Sequence, residues 1–533
     1  MGDGLQQMST GARRLLGALH AQGVAVCFAN PGTTELDLVR ALEQLPALRC
    51  VLGLQENVCT GAADGYGRMT GRPAATLLHL GPGFANGIAN LHNARRAQTP
   101  VINLIGDHAS WHLPFDAPLS SDIESLARPV SGWVRRIGGV QEVEAVAGEA
   151  VAQSLAQGGQ GATLIFPADF QAQALQQDEV DSAAVLAALA GSPVTAGPPA
   201  VNEQTLARLR GAQRPLFLLG GGGERSALSA RGQRAVARMV AHLGGSAYAE
   251  TFPSRAERGA GLPDFNRLPY FPEPARAVLD PSDVVVLAGA LPPVTYFGYP
   301  GQASRMVDDA RLLTLCAPGE DAVQVLETLA DALGAAPWTE ASAGAAPGAP
   351  PAPDLALTPA LIGATLAAAL PAQAIVSVEG GTCGYPFYAA SASARPHTTL
   401  TNTGGAIGQG LPVALGAAIA CPGRRVVALV SDGSTQYTVQ TLWSLAHEQL
   451  PVVVLVAANH QYAILRNELR RGGAALSEAA AAMTSLADPC IDWVGLAQAY
   501  GVPGHRAATV EQLQAALDQA WARPGPTLVE MAL

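Results

Sequence analysis

The stretch Arg425–Arg466, RVVALVSDGSTQYTVQTLWSLAHEQLPVVVLVAANHQYAILR, decides the fold. Val426–Val430 is a run of aliphatic, mostly β-branched residues that reads as a buried parallel strand, ended by Ser431-Asp432-Gly433-Ser434. From Thr435 to His447 apolar residues fall at helical spacing (Val439, Leu442, Trp443, Leu445), and Pro451 opens a second apolar strand to Ala457 that stops at Asn459-His460-Gln461-Tyr462. Strand, helix and strand make a βαβ unit. Its two parallel strands bring Asp432 and Asn459 to one edge of the sheet, the edge at which α/β proteins bind ligands. A carboxylate, an amide oxygen and a loop carbonyl near Gln461 are hard oxygen ligands, enough to hold Mg²⁺ whose other positions go to phosphate oxygens and water. Gly433 and Ser434 supply N–H groups and a hydroxyl for a phosphate at the helix start. The pattern asks for a diphosphate.

The whole chain suits such a domain. It has 533 residues, 49% hydrophobic and 14% charged, which predicts a soluble globular protein of about three domains. A net charge of −11 argues against nucleic acid and anionic membranes as partners. Cys27, Cys50, Cys59, Cys316, Cys383, Cys421 and Cys490 are odd in number and lack metal spacing, so they read as reduced core residues. With no leader-like N-terminus and no apolar run of membrane length, the expected compartment is the cytoplasm. The sequence contains no Lys, a matter of base composition by default, yet it excludes a Schiff-base lysine and a P-loop lysine.

Outward from the opening stretch, the same alternation recurs. Towards the N-terminus, a helix Gly11–Ala21, strand Val24–Phe28, turn Asn30-Pro31-Gly32-Thr33-Thr34, helix Glu35–Leu45 and strand Val51–Leu54 lead to Gln55-Glu56-Asn57. A helix rich in small residues, Gly61 to Arg68, follows, then strand Ala74–His79, a helix through Asn93 and strand Val101–Ile105. Alternating elements imply a doubly wound parallel sheet. A middle unit has strand Pro215–Leu219, the turn Gly220–Gly223, a helix through Val240 and strand Val284–Ala288. The glycine run reads as a tight structural turn before it reads as a nucleotide cradle. The segment 336–354, with APGAPPAP at its heart, has linker composition. Beyond it, strand Ala374–Val378 ends in Glu379-Gly380-Gly381-Thr382, and Asn402–Gly408 precedes a helix Leu411–Ala420. The expected domains are 1–190, 196–335 and 355–533, each α/β.

Two sets of residues resemble a known family. Ser431-Asp432-Gly433 and Ala458-Asn459 resemble the thiamine diphosphate motif, Gly-Asp-Gly followed by Asn-Asn, with Ser431 and Ala458 departing beside the two ligand positions. NPGTTEL, LQENVCTGAADGYGR and LLHLGPGFANGIANLHNARRAQTPV, in that order, closely resemble the pyrimidine-binding domain of the acetolactate synthase and benzoylformate decarboxylase family of thiamine diphosphate enzymes. The resemblance implies three doubly wound domains: pyrimidine-binding, middle and diphosphate-binding.

It further implies roles, residue by residue. Glu56 would share a proton with the pyrimidine ring of thiamine diphosphate, in a water-poor place between Leu52, Leu54 and Val58. Ile407 would prop the cofactor into its bent shape, and the Gly405 carbonyl would receive its amino group. Gly381, Thr382, Gly433 and Ser434 would hold the diphosphate and Tyr462 would be a further cofactor contact, with Asp432, Asn459 and the Gln461 carbonyl on Mg²⁺. Among substrate residues, His79 matches a catalytic histidine of benzoylformate decarboxylase and Thr33 its carboxylate-binding serine. Leu262 stands in place of the second histidine and Glu468 in place of a pocket aromatic, departures that argue against an aromatic 2-oxo acid. His108, His112 and Asp116 are further pocket candidates. The middle domain holds flavin in acetolactate synthases and is empty in many decarboxylases, so FAD is an open, unfavoured expectation. The expected activity is decarboxylation of a small-molecule 2-oxo acid, with aldehyde release or carboligation, in a homodimer or dimer of dimers whose sites lie between subunits. The rival readings are a non-catalytic relative and a flavin-containing oxidoreductase.

Overall fold

The computed structural model describes residues 9–175, 202–339, 351–473 and 475–533. Most of the proline-rich linker, and residues 176–190 of the expected first domain, lie outside the described residues. The chain divides into two compact units, Met1–Thr195 with Gly404–Ala420, and Ala196–Thr403 with Cys421–Leu533.

The first unit is built on a six-stranded, fully parallel sheet in the order Arg49–Leu52, Val26–Asn30, Ala74–His79, Val101–Asp107, Gly161–Pro167, Trp133–Arg136. The order reverses after the strand Val26–Asn30, as in a doubly wound sheet. One face buries Leu15, Leu16 and Leu19 of the helix Gly11–Ala21 and Val143, Val146 and Ala150 of Val143–Leu155 against Ala75, Leu77, Ile102 and Leu104. The helix Glu56–Thr70 packs against Gly410–Ala420, and here glycine is required: a Cβ on Gly65 would lie 2.2 Å from Val413 O, and one on Gly416 1.9 Å from Ala62 O. The small residues of GAADGYGR are thus a helix-packing surface, as expected.

Two buried polar systems hold this unit together. Asp64 takes Arg68 Nε and Nη2 at 2.8 and 2.7 Å, Thr99 Oγ1 at 2.6 Å and Gln409 Nε2 at 2.8 Å. Asn57 Oδ1 accepts Asn90 N–H at 2.9 Å, Asn90 Nδ2 donates to Asn57 O at 2.8 Å, and Asn93 Nδ2 donates to Asn90 Oδ1 at 3.0 Å and to Ala406 O at 2.8 Å. Buried polar groups are tolerated because they are paired.

The second unit carries two sheets. A parallel five-stranded sheet runs Asn266–Arg267, Ser246–Ala249, Pro215–Leu219, Val284–Ala288, Leu312–Cys316. A seven-stranded sheet runs Ala256–Arg258, His397–Thr401, Ile375–Val378, Val426–Ser431, Val452–Ala458, Thr527–Ala532, Gly504–Ala507, parallel except for its first pair. Val426↔Val452 through Ser431↔Ala457 are register partners, so the strands of the opening stretch do end together. The α/β doubly wound class is as the alternation predicted.

Local departures have physical causes. The helix expected from Thr435 to His447 is broken into Asp432–Thr435, a 3₁₀ turn Gln436–Thr438 and Thr441–His447. The Ser434 and Thr435 hydroxyls donate to Ser431 O, and Thr441 Oγ1 to Thr438 O, side-chain bonds that compete with a continuous helix. The helix expected from Glu35 starts instead at Leu36 after a 3₁₀ turn Thr33–Glu35, with Glu35 fully buried. The strand expected over Val24–Phe28 occupies Val26–Asn30, and that over Val51–Leu54 occupies Arg49–Leu52. The cysteines are all free, but they are not all core residues: Cys50 and Cys490 are exposed. No helix among the described residues is long and apolar enough to cross a membrane.

Candidate active site

The C-terminal edge of the first unit's sheet collects one group of residues. Glu56 opens the helix Glu56–Thr70, His79 ends the strand Ala74–His79, and Gly83 lies between them: a Cβ on Gly83 would sit 3.1 Å from Glu56 Oε1 and 3.2 Å from His79 Cβ. Asn86 Nδ2 donates to Glu56 Oε2 at 3.1 Å. Val58 is buried, whereas Leu52 and Leu54 are 40% and 42% exposed and Glu56 is half-buried, so the water-poor surrounding expected around Glu56 is not supplied by these flanks. Leu80, directly after His79, takes φ +50, a left-handed backbone unusual for leucine, at the strand-to-helix corner.

His79 has a partner that the sequence reading missed. Its Nδ1 lies 2.8 Å from Glu35 Oε2 and 3.2 Å from Thr34 Oγ1, while Gly32 N–H and the Thr34 hydroxyl also donate to the Glu35 carboxylate at 2.8 and 2.7 Å. Gly32 and Gly106 make the space: a Cβ would meet the His79 ring at 2.3 Å in the first case and Glu35 Oε1 at 1.9 Å in the second. Gly-x-x-Glu at Gly32–Glu35 was a visible capping pattern, but only the fold puts its carboxylate under His79. Thr33 is exposed on this turn, and its neighbour Thr34 makes the contact.

The loop Gly404–Gly408, in the same unit, is clamped by the helix Leu80–Arg96. His92 Nε2 lies 3.1 Å from Gly404 O, Asn93 Nδ2 and Oδ1 bracket Ala406 at 2.8 and 3.2 Å, and Asn90 Nδ2 donates to Gly408 O at 3.3 Å. Gly405 has φ +79, and Ile407 is half-buried. Asn57, Asn90 and Asn93 therefore tie the residue after Glu56 to the residues flanking Gly405 and Ile407. Asparagines three apart on one helix were the available signal.

The second unit holds the other group. Asp432 is 1% exposed, and its oxygens accept Gly433 N–H at 2.8 Å and His460 N–H at 2.6 Å. Burial raises its pKa despite those two donors. Asn459 Oδ1 accepts Gln461 N–H at 3.1 Å and its Nδ2 donates to Thr382 Oγ1 at 3.2 Å, joining the helix Gly381–Ala390 to the same edge. His460, at φ +52, makes the turn. A Cβ on Gly433 would strike the Tyr462 ring at 2.5 Å, and one on Gly380 the Ser431 hydroxyl at 2.1 Å. The Ser434 hydroxyl donates to Ser431 O at 3.0 Å. The buried Asp432 carboxylate, raised by desolvation, and the Asn459 amide oxygen are hard oxygen donors at one sheet edge that a divalent cation would neutralise, so these two residues fit the expected metal.

Three further candidates remain. His112 packs edge-on against His108 at 5.3 Å between ring centroids and lies 5.6 Å from Trp111 and 5.9 Å from Phe115, an aromatic cluster on an exposed loop that ends at Asp116, φ +48. Glu468 pairs with Arg471 at 3.0 Å and accepts the Tyr299 hydroxyl at 3.3 Å, while Arg471 also binds Glu273 at 2.7 Å. Leu262 is buried. In the middle glycine run, Gly221 N–H donates to Glu250 Oε1 at 2.6 Å, and a Cβ on Gly221 would lie 2.7 Å from Pro253 Cβ. A carboxylate occupies the position where a phosphate cradle would want an anion, so this is a packing turn.

Residues 9–126 match the family model described as thiamine pyrophosphate enzyme, N-terminal TPP binding domain, and residues 379–531 match its C-terminal TPP binding domain. A Mycobacterium tuberculosis protein named "Putative acetolactate synthase large subunit IlvX" is 45% identical over 98% of this chain and 99% of its own length. Benzoylformate decarboxylase of Pseudomonas aeruginosa is 28% identical, over 96% of this chain and 97% of its own. Among solved structures, a thiamine diphosphate-dependent 4-hydroxybenzoylformate decarboxylase of Rhodococcus jostii RHA1 superposes with a TM-score of 0.83 over 98% of this chain and 99% of that one, at 24% identity, a likeness of fold. With both cofactor-binding modules matched in order and a 45% identical relative along nearly the whole length, the chain belongs to the thiamine pyrophosphate enzyme family.

Proposed function

We propose that this thiamine diphosphate-dependent enzyme, with Mg²⁺, decarboxylates a small aliphatic or polar 2-oxo acid and either releases the aldehyde or adds the two-carbon or longer unit to a second carbonyl. The observation that carries the reading is the placement of Glu56 beside His79 around Gly83, in a chain that also places Asp432, Asn459 and Thr382 at one sheet edge. Bound thiamine diphosphate supplies the nucleophilic carbon and the electron sink that decarboxylation needs.

In this reading Glu56 holds a proton against the pyrimidine, steadied by the Asn86 amide. Gly405 and Ile407 orient the ring pair, their loop fixed by Asn90, His92 and Asn93. Gly381, Thr382, Gly433, Ser434 and Tyr462 receive the diphosphate, and Asp432, Asn459 and the Gln461 carbonyl take Mg²⁺. The Glu35 carboxylate accepts Nδ1–H of His79, which leaves Nε2 to take or give the substrate's proton. Thr33 and His112 are assigned to the substrate side. Glu468, tied to Arg471 and Tyr299, gives the pocket a charged wall where benzoylformate decarboxylase has an aromatic, which favours a non-aromatic substrate.

We assign the pyrimidine half to residues 1–190, the middle domain to 196–335, the linker to 336–354 and the diphosphate half to 355–533. The working form is proposed as a cytoplasmic homodimer or dimer of dimers, each Glu56 serving the partner subunit's Asp432. In that arrangement the partner would cover Leu52 and Leu54, both exposed beside the half-buried Glu56. A panel of aliphatic, polar and aromatic 2-oxo acids, with thiamine diphosphate and Mg²⁺, tests the reading by following CO₂ and acyloin together. CO₂ from an aliphatic or polar member is expected. Benzoylformate as the best substrate would overturn the specificity, and no CO₂ from any member would overturn the reaction.

A further inference from the structure

Two thiols lie side by side on the last two strands at one edge of the first unit's sheet, the outer of which leads into Glu56. Cys27 on Val26–Asn30 and Cys50 on the edge strand Arg49–Leu52 are register partners in a parallel pair. Neighbouring strands lie about 4.8 Å apart, inside the roughly 4.4–6.8 Å between Cα atoms that a disulfide spans. Register partners project from the same face of a sheet, so the two thiols lie on one side of this strand pair. Their surroundings differ: Cys27 is buried and Cys50 is exposed. The neighbouring Cys50 thiol, and then burial, hold the Cys27 thiol well above its ordinary range, and Cys50 is the one of the two that a solute can reach.

We propose that Cys27 and Cys50 form a redox-active dithiol that closes to a disulfide under peroxide, with Cys50 as the entry thiol and Cys27 as the resolving one. The Cys50 thiolate attacks one peroxide oxygen; the S–O bond forms, the O–O bond breaks, and hydroxide leaves to be protonated to water. The Cys27 sulfur then attacks the Cys50 sulfenic acid. The S–S bond forms, the S–O bond breaks, and the hydroxyl leaves with the Cys27 proton as a second water. Two thiols are oxidised by two electrons and one peroxide is reduced to two waters. The resulting rung joins the edge strand covalently to its neighbour. Cys59, a third thiol near these two, is buried on the helix Glu56–Thr70, outside the strand pair.

Native full-length protein, loaded with thiamine diphosphate and Mg²⁺, is treated with an excess of hydrogen peroxide and mapped by mass spectrometry, with and without dithiothreitol. The expected result is a loss of about 2 Da in a cross-link joining the Cys27 peptide to the Cys50 peptide, reversed by the reductant. It should persist in Cys59→Ser. In Cys27→Ser, Cys50 should advance to the sulfinic and sulfonic acids, as the exposed Cys490 should in every sample. In Cys50→Ser, whose site is on the surface, Cys27 should stay reduced. A Cys50 that does not react, one that over-oxidises in the unmutated protein without cross-linking, or a cross-link that survives Cys50→Ser would each overturn the proposal.

Discussion

Replacing Arg68 by Met should loosen the first unit far more than replacing Arg68 and Asp64 together. The Arg68–Asp64 pair is buried, with side chains 1% and 0% exposed, and two of the four donors to Asp64 come from Arg68. Methionine keeps the apolar stem but strands the carboxylate with two neutral donors, Thr99 and Gln409. Breaking a buried pair in this way costs about 3–5 kcal/mol, whereas exchanging both partners for apolar groups is near neutral. Asp64→Leu/Arg68→Met should therefore recover most of the loss, apart from what the unpaired Thr99 and Gln409 groups cost. A chain of several domains does not melt in one step, so the local measurement is amide hydrogen exchange in peptides from 56–70 and 404–420. A 3–5 kcal/mol loss corresponds to exchange about 100- to 4,000-fold faster in peptides whose protection comes from opening of this network. The two peptides should respond together because Gln409 and Arg68 meet on one carboxylate. Exchange within tenfold of the parent in Arg68→Met, or a double variant as loose as the single one, would refute the reasoning.

Other perturbations separate the roles. Glu56→Gln should lower turnover at least 100-fold while cofactor still binds by calorimetry, since the amide keeps the shape and loses the proton; unchanged turnover removes Glu56 from the mechanism. Asp432→Ala should abolish Mg²⁺-dependent cofactor binding in the same calorimetric titration, and binding within threefold of the parent would reassign the metal. Asn93→Leu, which deletes both side-chain bonds to Ala406, should raise the KM for cofactor more than it lowers kcat; the reverse split would place Asn93 elsewhere. Burial pushes Glu250 up to about 7 from its ordinary 4.5, so between those values the folded chain keeps a proton the unfolded chain has lost. Its stability contribution is full below about 4.5 and drains away as pH rises through 7. Glu250→Gln should then gain about 1–2 kcal/mol over the parent above pH 8 and nothing at pH 4.5, read from amide hydrogen exchange in peptides carrying Gly221 and Glu250; a gain equal at both pH values would deny the shift.

What could be read before the coordinates follows from how each residue reports its surroundings. The strands Ala74–His79, Pro215–Leu219 and Val284–Ala288 and the helix Gly11–Ala21 have the bounds that apolar runs and periodicity predicted, because their burial is continuous or strictly one-sided. Asp432 and Asn459 were legible from the ends of two such strands. Periodicity failed over 435–447, where serine and threonine hydroxyls compete for backbone carbonyls. It also missed the strand Ala256–Arg258, too short and too polar to stand out from a loop until His397–Thr401 pairs with it. Glu35 escaped because a carboxylate in a turn looks solvated until His79, far along the chain, closes on it. Asn90 and Asn93 likewise acquire meaning only from Gly408 and Ala406.

The segment Gly404–Ala420 lies in sequence between two strands of the seven-stranded sheet yet belongs to the first compact unit. Anyone cloning the C-terminal half as a stand-alone module would carry this insert without its bed. Gly410–Ile419, buried along its whole length, would then be bared to solvent, and the fragment should come out of expression sticky or insoluble. The complementary N-terminal fragment would lose the Gln409 amide from its buried acid. Modular shuffling between relatives must therefore move residues 404–420 with the partner they pack on, a grafting rule set by where the polypeptide doubles back.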